Sequence, residues 1–160
     1  MLLTRNQLFS VLVILLISTR GPMADDFARA EEYLEQGKLD KANWIYFSSL
    51  DKNERIDEAH LGLAKSMWHA KKYAASLQYV NKYLDSHPDN REALLLRSQL
   101  YILLQQWENA VADIKRLSPG EDNPNLFLLL NIAYENLDQR DLAKQAKAEY
   151  YRLEARRQPE

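Results

Sequence analysis

Residues 63–80 read LAKSMWHAKKYAASLQYV, and the fold follows from how often that stretch returns. Within it a small residue, Ala64, is followed three residues later by a large one, Met67. A second small residue, Ser76, is followed four residues later by Val80. Stepping outward, Ala64 belongs to the series Ala30, Ala64, Ser98, Asn131, with steps of 34, 34 and 33 residues. Met67 belongs to Tyr33, Met67, Tyr101, Tyr134, with the same steps. Ser76 belongs to Ala42, Ser76, Ala110, Ala143, again with the same steps, and four residues after each stand Tyr46, Val80, Ile114 and Lys147. One period shared by independent series marks a repeat architecture.

A period of 34 with this pattern resembles the tetratricopeptide repeat, a helix–turn–helix unit. The second repeat carries Leu63-Ala64, Met67, Tyr73, Ser76, Val80 and Pro88; the third carries Leu94, Ser98, Tyr101, Trp107, Ala110 and Ile114. The first supplies Ala30, Tyr33, Gly37, Leu39, Ala42 and Tyr46; the fourth supplies Phe127, Leu130, Tyr134, Ala143 and Tyr150. Only Gly37 keeps the glycine between paired helices, where Lys71, Gln105 and Asp138 stand in the other repeats. Asn131 and Lys147 make the last repeat the weakest match, and a polar outer repeat is what a capping end needs.

The expected fold is therefore all-α, a right-handed superhelix of about four repeats over 25–56, 57–90, 91–123 and 124–157. Each unit is two amphipathic helices that cannot bury their apolar faces alone. Alanine or serine where the paired helices cross lets the axes approach to about 8–10 Å. Turn residues fall where repeats should join: Asp51-Lys52-Asn53, His87-Pro88-Asp89-Asn90, and Ser118-Pro119-Gly120 through Pro124. Asp89 or Asn90 is placed to cap the helix that begins near Arg91. The predicted helices are 25–36, 39–51, 56–70, 73–86, 91–104, 107–117, 124–137 and 140–156.

Residues 1–24 read differently. Arg5 is followed by an apolar run from Leu8 to Ile17, then by Ser18, Thr19, Gly21 and Ala24, the layout of a secretory signal peptide. The run is too short for a spanning helix, which needs about 20 residues. The expectation is cleavage within Thr19 to Ala24 and a periplasmic or secreted mature chain with no membrane span. The alternative is a chain held at the inner membrane by an uncleaved N-terminal segment.

Composition narrows the chemistry. The net charge of −2 offers no basic excess to neutralise phosphates, so nucleic acid is not an expected partner. Cysteine is absent, which removes disulfides, thiolate-bound zinc and a thiol nucleophile. Four Gly and five Pro suit helices better than a sheet with many turns. His60 and His69 are nine residues apart, which is not ligand spacing on one helical face. His87 precedes Pro88 at a helix end, where a polar cap is the ordinary role. Glu121-Asp122-Asn123 lacks the spaced ligands of a calcium loop. No phosphate loop or nucleophile motif occurs, so no catalytic residue, metal, cofactor or small-molecule substrate is expected.

What remains is a surface. The resemblance implies a concave face lined by the first helix of each repeat. It places Phe27, Glu31 and Leu34 there from repeat 1, and Leu61, Lys65 and Trp68 from repeat 2. Leu95, Gln99 and Ile102 come from repeat 3, and Leu128, Ile132 and Glu135 from repeat 4. Members of this family that grip chaperone C-terminal carboxylates carry lysine and asparagine where Leu61, Lys65, Leu95 and Gln99 stand here, so that activity is not implied. An apolar stripe with charged flanks suits an amphipathic helix or an extended apolar peptide. The expected role is a non-enzymatic scaffold or adaptor of the cell envelope, in secretion, pilus or surface-polymer assembly; the alternative is a periplasmic chaperone-like holder of client proteins.

Overall fold

The computed structural model describes residues 24–117 and 123–157; the leader expected at 1–24 and the turn residues Ser118 to Asp122 lie outside them, save Ala24. Among the described residues the chain is eight helices and no strand. They are α1 (Ala24–Glu35), α2 (Leu39–Asp51), α3 (Ile56–His69), α4 (Tyr73–Ser86), α5 (Arg91–Leu103), α6 (Trp107–Leu117), α7 (Pro124–Asn136) and α8 (Arg140–Arg157). Each boundary lies within one residue of the one read from the period.

The turn inside each repeat has one construction. Gly37, Lys71, Gln105 and Asp138 all sit in the left-handed region, at φ 70°, 58°, 58° and 55°. Gly37 N–H donates to the Leu34 carbonyl (3.0 Å) and Lys38 N–H to the Tyr33 carbonyl (2.8 Å). The same two bonds recur at Lys71 and Lys72, at Gln105 and Gln106, and at Asp138 and Gln139. They satisfy carbonyls that the ending helix leaves open. A side chain in that conformation costs roughly 1–2 kcal/mol. Three of the four repeats therefore hold the turn without the residue that favours it, because the packed helix pair fixes its ends.

The turns between repeats differ. Asn90 accepts from Ala93 N–H (3.0 Å) and caps α5. Asp89 is not the cap; it pairs with Arg116 on α6 (2.7 Å). Asn123 accepts from Asn125 N–H (3.1 Å) ahead of Pro124. Between α2 and α3 no side chain caps the helix, and both Asn53 and Arg55 are left-handed.

Paired helices cross at the small-residue positions. Ala30, Ala42, Ala64, Ser76, Ser98, Ala110, Asn131 and Ala143 are all buried. Ser76 Oγ donates across the crossing to the Ala64 carbonyl (2.7 Å), and Asn131 Nδ2 reaches the Ala143 carbonyl (3.1 Å). Asn131 is thus an interior residue rather than part of a polar outer face, because its amide finds a partner at the crossing. Lys147 is exposed. Tyr46, Val80 and Ile114 are fully buried beside the crossings. The core divides into a cluster around Phe27, Tyr46 and Leu63 and a larger one running from Ala64 to Ala146.

Candidate protein-binding groove

The first helices of successive repeats touch one another, α1 with α3 and α5 with α7, and no two second helices meet to that extent. The stack therefore bends with its first helices on the inner side. Lys65 on α3 is the electrostatic centre of that surface. Its ammonium pairs with Glu92 on α5 (2.7 Å) and with Glu31 on α1 (3.4 Å), so one side chain ties three repeats. Burial pulls the Lys65 ammonium down, but the Glu92 bond and the two carboxylate charges outweigh it, and the group stays above its ordinary value. Glu31 also accepts from the Tyr46 hydroxyl (3.3 Å). Burial first, then Glu31, pushes that phenol well above its usual range.

Leu61, Trp68, Leu95 and Ile102 are half-buried, each with one side packed on the core. Trp68 meets Tyr73 edge to face at 5.7 Å, so it serves the core and the inner surface together. Leu128 is 40% exposed and is the most open apolar group among the proposed groove residues. Gln99 and Ile132 are half-buried, and Glu135 is exposed, accepting from Asn131 Nδ2 (3.3 Å). Phe27 and Leu34 do not line the groove. They are only 8% and 4% exposed and belong to the N-terminal cluster. Phe27 packs edge to face on Tyr46 (5.5 Å), and the Arg55 guanidinium covers its ring at 3.9 Å. In repeat 1 these side chains help to build the cluster around Tyr46 and Leu63.

Glu92 was missing from the groove residues read from the sequence. Its sequence signal is only that of an acidic first turn of α5, and its role appears when α3 and α5 stack. A second set, Arg97 with Asp113 and Asn81, also escaped the sequence reading. Arg97 donates to both Asp113 carboxylate oxygens (2.7 Å each) and to Asn81 Oδ1 (3.0 Å), and Asp113 is almost fully buried. This set joins repeats 2 and 3 away from the groove. Among the described residues no group of three His, Asp or Glu side chains could hold a metal. His87 stacks on Tyr83 at 4.6 Å, and His60 leans on Tyr79 at 6.2 Å. No helix among the described residues is long and apolar enough to cross a membrane.

No protein-family model matches the chain. It is 27% identical over 106 residues to the TPR repeat-containing protein MJ1428 of Methanocaldococcus jannaschii; the match covers 66% of this chain and 19% of that protein, so the chain spans about a fifth of the relative's length. Among solved structures it superposes on MamA from AMB-1 with a TM-score of 0.72 at 17% identity, over 81% of this chain and 72% of that one. It superposes on MamA from MSR-1 with a TM-score of 0.70 at 17% identity, over 79% and 73%.

Proposed function

We propose that the chain is a tetratricopeptide-repeat protein, similar in sequence to a TPR repeat-containing protein and in fold to MamA, and that it is a non-enzymatic scaffold that holds a protein partner in the inner groove. The observation that carries this is the row of half-buried apolar edges, Leu61, Trp68, Leu95 and Ile102, leading to the open Leu128 beside the Lys65 charge set. Such edges give a partner apolar surface already held in place, so little side-chain entropy is lost on binding. The chemistry fits an amphipathic helix whose apolar side covers that row. Glu31, Glu92 and Glu135 then meet basic groups on the partner's flank and set orientation and association rate more than affinity.

The apolar run after Arg5 supports export to the cell envelope, with a mature chain beginning between Arg20 and Asp25. N-terminal sequencing of the native protein tests that placement; an intact Met1 in the soluble cytoplasm overturns it.

For the groove, Leu128→Asp is the sharpest probe. Leu128 is 40% exposed and packs on neither core cluster, so its replacement leaves the melting temperature nearly unchanged. Partner capture from envelope extract, quantified by mass spectrometry, should fall at least about tenfold. Undiminished capture by Leu128→Asp overturns the groove. Capture of many unfolded clients in place of one partner at fixed stoichiometry turns the scaffold into a chaperone-like holder.

A further inference from the structure

In later repeats the cleft between a repeat's two helices is met by the second helix of the repeat before. Arg97 of repeat 3 reaches back to Asn81 on α4, and Lys115 on α6 lies 6.0 Å from the Tyr134 ring of repeat 4. Tyr79, in the cleft of repeat 2, packs on the cluster of repeat 1. Repeat 1 has the same cleft with no described helix ahead of it. Arg29, Tyr33, Asp40, Lys41, Trp44 and Ile45 line a hollow of about 430 Å³, against about 270 Å³ for the matching hollow around Tyr134 and Leu142 in repeat 4. Trp44 stands at its rim, 72% exposed, where the other repeats carry Gln78, Ala112 and Gln145.

We propose that this edge is a two-fold interface with a second copy of the chain, the Trp44 of each copy entering the hollow of the other. A two-fold interface places the same patch on both subunits, so the patch must complement itself. This one carries both a projecting indole and an open cleft large enough to receive it. It also carries both signs of charge, Arg29 and Lys41 beside Asp26, Glu32 and Asp40, so two copies pair charges instead of repelling. The opposite end of the stack is a poorer partner: at the positions of the buried Val111 and Ile114 of α6, α8 turns out Lys144 and Lys147, both exposed, beside the exposed Tyr151. Buried tryptophans dominate the energetics of many interfaces. The proposal rests on the export reading, under which the mature chain begins between Arg20 and Asp25, at the start of α1.

The test is sedimentation of the native chain purified from producing cells, with its intact mass measured on the same sample. The expected result is a dimer that separates on dilution. Trp44→Glu raises its dissociation constant about 30-fold or more, with helical signal and melting temperature unchanged because Trp44 is exposed. Gln145→Glu, at the matching position of repeat 4, leaves the dimer as tight as before. A native monomer at every concentration overturns the interface, as does a Trp44→Glu dimer of native tightness. Mass that keeps growing with concentration means head-to-tail stacking and overturns it too. The intact mass decides export separately: a retained Met1 sinks that reading, while sedimentation still decides the interface.

Discussion

At the junction of repeats 1 and 2 the Tyr46 ring lies against the backbone of Gly62 so closely that a Cβ there would overlap its ring carbons. Phe27 packs on the same ring, and Arg55 closes over Phe27. At the junction of repeats 2 and 3 the contact is made by a charge pair held within repeat 3, whose Arg97 reaches across to Asn81 of repeat 2. Arg97 grips Asp113 with two bonds and Asn81 with a third, and lies over Tyr101 at 5.7 Å. The Asp113 bonds, with the carboxylate charge, hold the Arg97 guanidinium above its ordinary value. The entry to each junction also differs, uncapped and twice left-handed in the first, capped by Asn90 in the second. The period fixes where the helices cross, and it leaves the chemistry between successive repeats free. A junction closed by shape fails when volume is added. A junction closed by charge fails when one partner is removed.

The largest expected effect is Asp113→Ala, which strands the Arg97 cation in a mostly buried site and should cost about 3–5 kcal/mol. Chemical denaturation measures it. Replacing both members, Arg97→Met with Asp113→Leu, should recover most of the loss, since an apolar pair of similar volume serves as well as a buried ion pair. If the double variant is as weak as the single one, the junction needs the charges themselves.

Gly62→Ala comes next. Alanine is the better helix former by about 1 kcal/mol, yet the methyl has no room beside the fully buried Tyr46. A net loss of about 1–3 kcal/mol is expected. A stabilised variant would show that the ring has space to move, and shape would then not be what closes this junction.

The two turns give a finer comparison. Asn90→Ala removes the α5 cap and should cost about 1 kcal/mol. Arg55→Gly relieves a left-handed side chain but loses the cation over Phe27, and the two should cancel to within about 0.5 kcal/mol. Equal effects at both turns would erase the distinction between a capped and an uncapped entry.

The smallest effect is a pH dependence at His60. Burial, then the Lys82 charge, hold its imidazole below the ordinary value, with Asp57 opposing. Its Nδ1 is buried and finds no hydrogen-bond partner among the described residues. Between the folded and unfolded values the unfolded chain binds the extra proton, so stability rises with pH there. The contribution is complete above about 6.5 and is lost as pH falls through the lowered folded value. Melting curves from pH 7 to pH 5 should fall less steeply for His60→Gln than for the native chain. An identical slope would remove His60 from the acid response.

Much of the fold was legible because helix crossings demand small side chains, and small residues recur at a countable spacing. The glycine-free turns were legible for the same reason: Lys71, Gln105 and Asp138 occupy the place of Gly37 and take its conformation. The groove was harder to read. Leu61, Lys65, Trp68 and Leu95 reach the inner surface, while Phe27 and Leu34 go into the core although they hold the same repeat positions. Nothing in residue type separates Leu34 from Ile102, or Phe27 from Leu95, strongly enough to foretell this; the difference is the separate cluster that Phe27 and Leu34 form with Tyr46 and Leu63.

The sequence by itself determined the repeat length, the eight helices of the described residues, the crossings and the slightly acidic, cysteine-free composition. Each of these depends on spacing along one helix or on composition, and a linear pattern carries both. Tertiary structure alone decided that Lys65 joins Glu31 to Glu92, that Asp113 is buried against Arg97, and that Gly62 makes room for Tyr46. These contacts link residues 16 to 34 positions apart on neighbouring helices, and their partners are chosen by the angles at which the helices of a repeat, and successive repeats, settle on one another. Those angles come from the summed packing of all the helices, so no single stretch of the chain records them.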